Sequence, residues 1–67
     1  MLNFTTIEEL TTGDKILSNL SGQLVEFLVT AEPVEDLGNY SVLMEDKYGE
    51  GRSLVAPEGT PVVKLSW

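Results

Sequence analysis

Two pairs of adjacent acids, Glu35-Asp36 and Glu45-Asp46, are the side chains in this sequence with the most obvious chemical potential. Two carboxylates do acid–base work, or hold Mg²⁺, when they converge in a cleft. A carboxylate-only Ca²⁺ or Mg²⁺ site is formally open to the chain, but Asp46-x-x-Gly49-Glu50 lacks the ligand spacing of an EF-hand loop. With no Cys and no His, thiolate and imidazole metal sites are excluded, and so are Ser-His and Cys-His nucleophile pairs. Ser53 and Ser66 therefore lack a base, and Lys15, Lys47 and Lys64 are exposed by pattern. Gly49-Glu50-Gly51 is too short, and too acidic, to cradle a phosphate, so it reads as a hairpin tip. A chain of 67 residues rarely encloses a cleft. The expectation is a non-catalytic protein without cofactor or metal.

The same acids fit a second chemistry, recognition of a basic surface. Asp and Glu total 11 against 4 Lys and Arg, a net charge of −7. Such a surface repels nucleic acid phosphates and anionic lipid headgroups, so neither nucleic acid nor membrane is an expected partner. Solubility alone accounts for an acidic surface. The sharper reading gives it a basic protein partner, or makes it a mimic of nucleic acid. Tyr48, the aromatic in a polar loop beside acids, suits a protein contact or folds back over the barrel mouth. Glu35, Asp36, Glu45, Asp46 and Tyr48 are the candidate partner-binding residues.

What must position these residues is a set of short strands. The central one is Gln23 to Ala31, rich in β-branched and aromatic residues and without Gly or Pro. Val25, Phe27, Val29 and Ala31 share one face, wholly apolar and predicted to face a core. Leu24, Glu26, Leu28 and Thr30 share the other. Met1 to Phe4 suits a short edge strand. Thr5 with Glu8, or Thr6 with Glu9, has the spacing of a capping box, and Gly13 stops the single helical turn that follows. Lys15 to Leu20 is a strand of unsettled register, with either Ile16 and Ser18 or Lys15 and Leu17 turned inward, and a turn through Ser21-Gly22 leads to the central strand.

Glu32-Pro33 ends the central strand, and Val34 to Asn39 reads as a connection with Gly38-Asn39 as its turn. Tyr40 to Asp46 is a strand with Tyr40, Val42 and Met44 on one face. Arg52 to Ala56 is another, with Leu54 and Ala56 opposite Val55. Pro57 to Thr60 is a turn, and Val62 to Trp67 the last strand, with Val63, Leu65 and Trp67 on one face. Closely spaced short strands with turn signals between them predict one all-β domain over residues 1–67, a barrel or sandwich.

Leu24, Leu28 and Leu43 fall opposite the core, and Leu54 could join them. Either Leu2, Phe4, Ile7 and Leu10 cover them within one chain, or they form a self-association surface. Without disulfides, a homo-oligomer is the expected source of extra stability.

The order Ile7-Glu8-Glu9-Leu10, Gly13-Asp14-Lys15-Ile16, a long second strand, a Gly-tipped hairpin and a closing Pro-x-Val strand resembles the SH3-like small β-barrels. The resemblance implies a five-stranded barrel with an N-terminal helical turn. It does not carry the family's usual ligands. No Trp sits mid-chain for a proline-peptide groove, and the loops are acidic where nucleic-acid-binding barrels are basic. In its shortness, acidity and lack of cysteine the chain is also similar to small bacteriophage accessory proteins. That likeness implies a cytoplasmic protein, in a bacterium or infected host cell, acting as regulator or inhibitor of a host protein. The absence of a signal-peptide pattern fits it. Two further readings are an oligomer that sequesters a small molecule between subunits, and a structural component of a larger particle.

Overall fold

A computed structural model describes residues 2–20 and 22–65, with the backbone alone at residues 2 and 20. The turn residue Ser21, and the Ser66 and Trp67 assigned above to the last strand, lie outside the described residues, as does Met1.

The chain is all-β. Its strands are β1 (Leu2–Thr6), β2 (Lys15–Leu20), β3 (Gln23–Val29), β4 (Val34–Asp36), β5 (Asn39–Glu45), β6 (Gly51–Pro57) and β7 (Pro61–Leu65), with a 3₁₀ turn at Ile7–Glu9 between β1 and β2. All pairings are antiparallel. They run β1-β7-β2-β3-β5-β6, with β4 also alongside β5, in one curled sheet.

Curling puts one face inside. Ile7, Leu10, Ile16, Phe27, Val29, Val42, Met44 and Val62 form the core, and Val25, Tyr40, Leu54 and Ala56 pack against it. Period-two alternation delivers the strand residues, and the 3₁₀ turn supplies Ile7 and Leu10. Ile16 sits opposite Phe27 across β2 and β3, which settles the open register in favour of Ile16 and Ser18. Val42 sits opposite Leu54, and Tyr40 opposite Ala56. On β7 the buried residue is Val62, while Val63, paired with Phe4 and Leu17, belongs to the outer face.

Three expectations need correction. The strands number seven among the described residues, where five were predicted. The supposed connection Val34 to Asn39 contains the short strand β4, because the turn centres on Leu37-Gly38 and not on Gly38-Asn39. Both turn residues have positive φ, 53° at Leu37 and 84° at Gly38, which lets Asp36 pair directly with Asn39. The N-terminal helical turn is 3₁₀, and Thr6 makes no capping bond to its backbone. Its hydroxyl donates to the Glu9 carboxylate instead, at 2.7 Å.

Loop carboxylates hold the turns. The Asp14 carboxylate accepts the Thr11 N–H at 2.9 Å and the Thr11 hydroxyl at 3.2 Å, and pairs with Lys64 Nζ at 3.3 Å. Burial raises the Asp14 pKa, but these contacts outweigh it and hold the carboxyl below its ordinary value. Glu32 accepts both the Thr12 N–H (2.7 Å) and its hydroxyl (3.0 Å), tying the segment after β3 to the turn before β2.

Candidate functional site at the acidic end of the barrel

The two acid pairs sit at opposite ends of β5. Glu35 pairs with Tyr40 and Asp36 with Asn39. Glu45 lies five residues beyond Tyr40, about 17 Å along a strand. They therefore make separate surfaces and no shared carboxylate site. Among the described residues no group of three or more acids is disposed to hold a metal ion.

At the Glu45-Asp46 end, Asp46 organises the hairpin tip. Its carboxylate accepts the N–H groups of Tyr48 and Glu50, both at 2.9 Å. That carboxylate is engaged internally, as in an Asx turn. Glu45 is half-buried opposite Leu28. Tyr48 projects into solvent, 81% exposed, and does not fold back over the barrel. The Lys47 ammonium lies 5.2 Å from its ring centroid.

The Glu35-Asp36 end is more densely built. Glu35 and Asp36 are exposed on β4. The turn between β6 and β7 is tied to theirs by the Glu58 N–H donating to the Gly38 carbonyl (3.0 Å). It is tied in turn to the 3₁₀ segment, where the Glu8 carboxylate accepts the Gly59 N–H at 2.9 Å. These bonds bring Glu8, Glu35 and Glu58, from three distant segments, around the Tyr40 phenol. Burial, then the charges of Glu35, Glu58 and Glu8, push that phenol above its ordinary pKa. The Glu8 carboxyl is lowered, chiefly by the bond from Gly59. The ion pairs Arg52–Glu50 and Lys64–Asp14 involve none of the three.

Leu37 stands at the same end. It is 95% exposed and held at φ 53°, where a leucine side chain is strained. Asn or Gly would fit this turn without strain. Sequence reasoning placed Glu35 and Asp36 here but missed Glu8, Glu58, Tyr40 and Leu37. Only the pairing of β4 with β5 and the bonds between turns bring them together. Leu37 carried a readable signal in hindsight, an apolar residue directly before Gly in a polar loop.

The leucine face is broken up. Leu24 is 71% exposed and Leu43 55%, whereas Leu28 is half-buried between Lys15 and Glu45 in the register. Leu24 and Leu28 are about 13 Å apart along β3, with Glu26 between them. Leu54 does not join them, since pairing with Val42 turns it to the core. Nor do Ile7 and Leu10 cover them, because both are core residues, and Phe4 is itself 79% exposed. Leu43 instead has apolar neighbours on β4 and β6. Val34 and Val55 flank Ser41, and all three lie on the outer face with Leu43. Val34 is 64% and Val55 62% exposed.

No family model matches the chain, and no curated protein or solved structure matches it either. No helix among the described residues is long and apolar enough to cross a membrane.

Proposed function

We propose that this chain is a non-catalytic protein-interaction module, an acidic homo-oligomer that regulates or inhibits a basic protein partner. The observation that carries the reading is the acidic end. Glu8, Glu35 and Glu58 converge on Tyr40 from separate loops, beside Asp36 and a projecting, strained Leu37. An apolar residue amid like charges suits a partner that offers a pocket rimmed by Lys or Arg. The framework is read as an SH3-like barrel: apart from the edge strand β1 and the three-residue β4, the five strands β2, β3, β5, β6 and β7 remain. A phage-encoded origin and a cytoplasmic setting, with neither nucleic acid nor membrane as partner, belong to the same reading.

Self-association is assigned to the outer face of β4, β5 and β6. Leu43 with Val34 and Val55 forms its apolar centre, and Leu24 and Leu28 lie further along the outer face. A two-fold axis would bury identical patches on both subunits.

The test is capture of partners on immobilised chain across a salt series, with native mass spectrometry of the eluate. The wild type is expected to retain a basic protein at low salt and release it as salt rises. A Glu35→Gln, Glu58→Gln variant should lose it. Retention of the same protein by that variant at equal salt would overturn the assignment of the acidic end. In the same spectra Leu43→Glu should be monomeric where the wild type is not; a monomeric wild type at high micromolar concentration would remove the oligomer from the proposal.

A further inference from the structure

We infer that the open edge of β3, along Leu24 to Phe27, takes an extended, basic segment of a protein partner as an added strand. The inference rests on the protein-interaction reading and names a second surface for it. Its basis is a count of backbone groups. The Val29 N–H donates to the Asp14 carbonyl at 2.8 Å, and the Val29 carbonyl accepts from Gly13 at 2.9 Å. Both peptide groups of Val29 therefore point toward the β2 side. Alternation turns Leu28 and Thr30 the other way, and the Thr30 N–H duly donates to the Leu43 carbonyl at 2.9 Å. The same alternation turns the N–H and C=O of Leu24 and Glu26 away from β2. On that side β5 pairs with β3 only at Leu28 and Val29. Among the described residues no strand lies opposite Leu24 and Glu26, so their peptide groups are those of a sheet edge.

Charge and shape select the occupant. A cavity of about 230 Å³ opens where β3 and β5 diverge, lined by Phe27, Leu28, Glu26, Glu45 and Asp46, with Lys15 and Lys47. The Lys47 ammonium is drawn over the neighbouring Tyr48 ring. An added strand would place alternate residues on the face of Glu26 and on the face of Val25 and Phe27. On the first face Glu26 calls for a basic residue, whose aliphatic stem can cover the flanking Leu24 and Leu28, and the second face calls for apolar residues. This is strand addition to an edge, in which the main chain gives affinity and alternate side chains give specificity. A second copy fits less well, since each subunit carries −7. The edge of β4 is acidic but only three residues long, too short to register an added strand, and the edges of β6 and β1 suit a basic strand less. On β6 the residue beside the outward-facing Ser53 is Arg52, paired with Glu50, and Pro57 has no N–H. On β1, whose odd residues face β7 as Ile7 does in donating to Thr60, the outward groups are those around Phe4, with no acid on the strand.

The experiment titrates the isotope-labelled full chain with a synthetic peptide alternating lysine and valine, read by amide NMR. Before peptide is added, the Leu24 and Glu26 amides should exchange with solvent faster than those of Val25 and Phe27. At saturation their signals should shift and their exchange slow about tenfold or more. A peptide alternating glutamate and valine should do neither. Glu26→Pro deletes an N–H that faces the open edge, a position where proline is tolerated. It should keep the Val29 amide protected and lose the peptide at least about tenfold, while Glu26→Gln should weaken binding a few-fold and flatten its salt dependence. Leu24 and Glu26 amides as protected as their neighbours in the peptide-free chain would overturn the inference. So would wild-type affinity in folded Glu26→Pro. Should that variant unfold, the exchange pattern and Glu26→Gln decide. Shifts confined to Tyr40, Glu8 and Glu58 would sink the β3 edge and leave the protein-interaction reading standing. No shift anywhere, with no salt-sensitive partner captured, would remove both.

Discussion

Phe27→Ala tests the core by setting one phenylalanine against the other. Phe27 is 2% exposed at the middle of β3, opposite Ile16, whereas Phe4 is 79% exposed on the edge strand β1. Truncating a buried phenylalanine removes its transfer free energy and leaves a cavity, a loss of about 3–5 kcal/mol. Globular chains hold about 0.05–0.15 kcal/mol per residue, which for 67 residues gives about 3–10 kcal/mol in total. Phe27→Ala therefore consumes between a third and all of the stability. With each 1 kcal/mol worth about 4–8 °C at this size, the midpoint falls by at least about 12 °C, or folding is lost. The same truncation at Phe4 removes a side chain that is already in water and should stay within about 0.5 kcal/mol. Phe27→Leu keeps much of the volume and should cost about 1.5 kcal/mol or less, which leaves a measurable variant if the alanine does not fold. Urea unfolding followed by far-ultraviolet circular dichroism reads all three. Equal losses for Phe4→Ala and Phe27→Ala would refute the inner and outer faces assigned to the whole sheet, since one alternation fixes both.

Two further changes act on the turns. The Asp14 pKa lies below its ordinary value in the folded chain, so the carboxylate stabilises the fold at neutral pH, and this contribution disappears as pH falls through the lowered value. Asp14→Ala should cost about 1–2 kcal/mol at pH 7 and nothing comparable near pH 2, as thermal melts across pH would show. Leu37→Asn should raise stability by about 0.5–1 kcal/mol, because asparagine tolerates the left-handed backbone that strains leucine. A lowered melting temperature in that variant would mean that Leu37 packs in solution and is not the projecting residue of the turn.

The inner face was legible in the sequence because alternation is a local property. Val25, Phe27 and Val29 announce it on β3, and Tyr40, Val42 and Met44 on β5, with no need of the partner strands. The outer face was not legible to the same degree. Whether Leu24, Leu28 and Leu43 form a patch depends on which residues stand across the strands, and register is a property of pairs. The structure puts Lys15 and Glu45 beside Leu28, and Val34 and Val55 around Leu43. β4 is not legible in the sequence because Val34-Glu35-Asp36 is short, acidic at two of its three positions and preceded by proline. Its strand character comes from the Leu37-Gly38 turn that folds it onto β5.

The acidic end shows why residue type and spacing were insufficient for the candidate site. Glu8, Glu35 and Glu58 are separated by more than twenty residues each in the chain, and no periodicity connects them. Two backbone devices do. The Glu58 N–H closes onto Gly38, and the Gly59 N–H closes onto the Glu8 carboxylate. Glu8 thus has a structural role, and its lowered pKa keeps it charged where two more carboxylates approach. Like charges gathered around a half-buried phenol raise the folding free energy of an isolated chain. A strained leucine next to them does the same. Both costs fall on one end of a domain with little stability to spare, while the rest of the barrel obeys alternation. A local conflict with foldability confined to one surface is the physical ground for proposing that this end, and not the rest of the sheet, meets a partner.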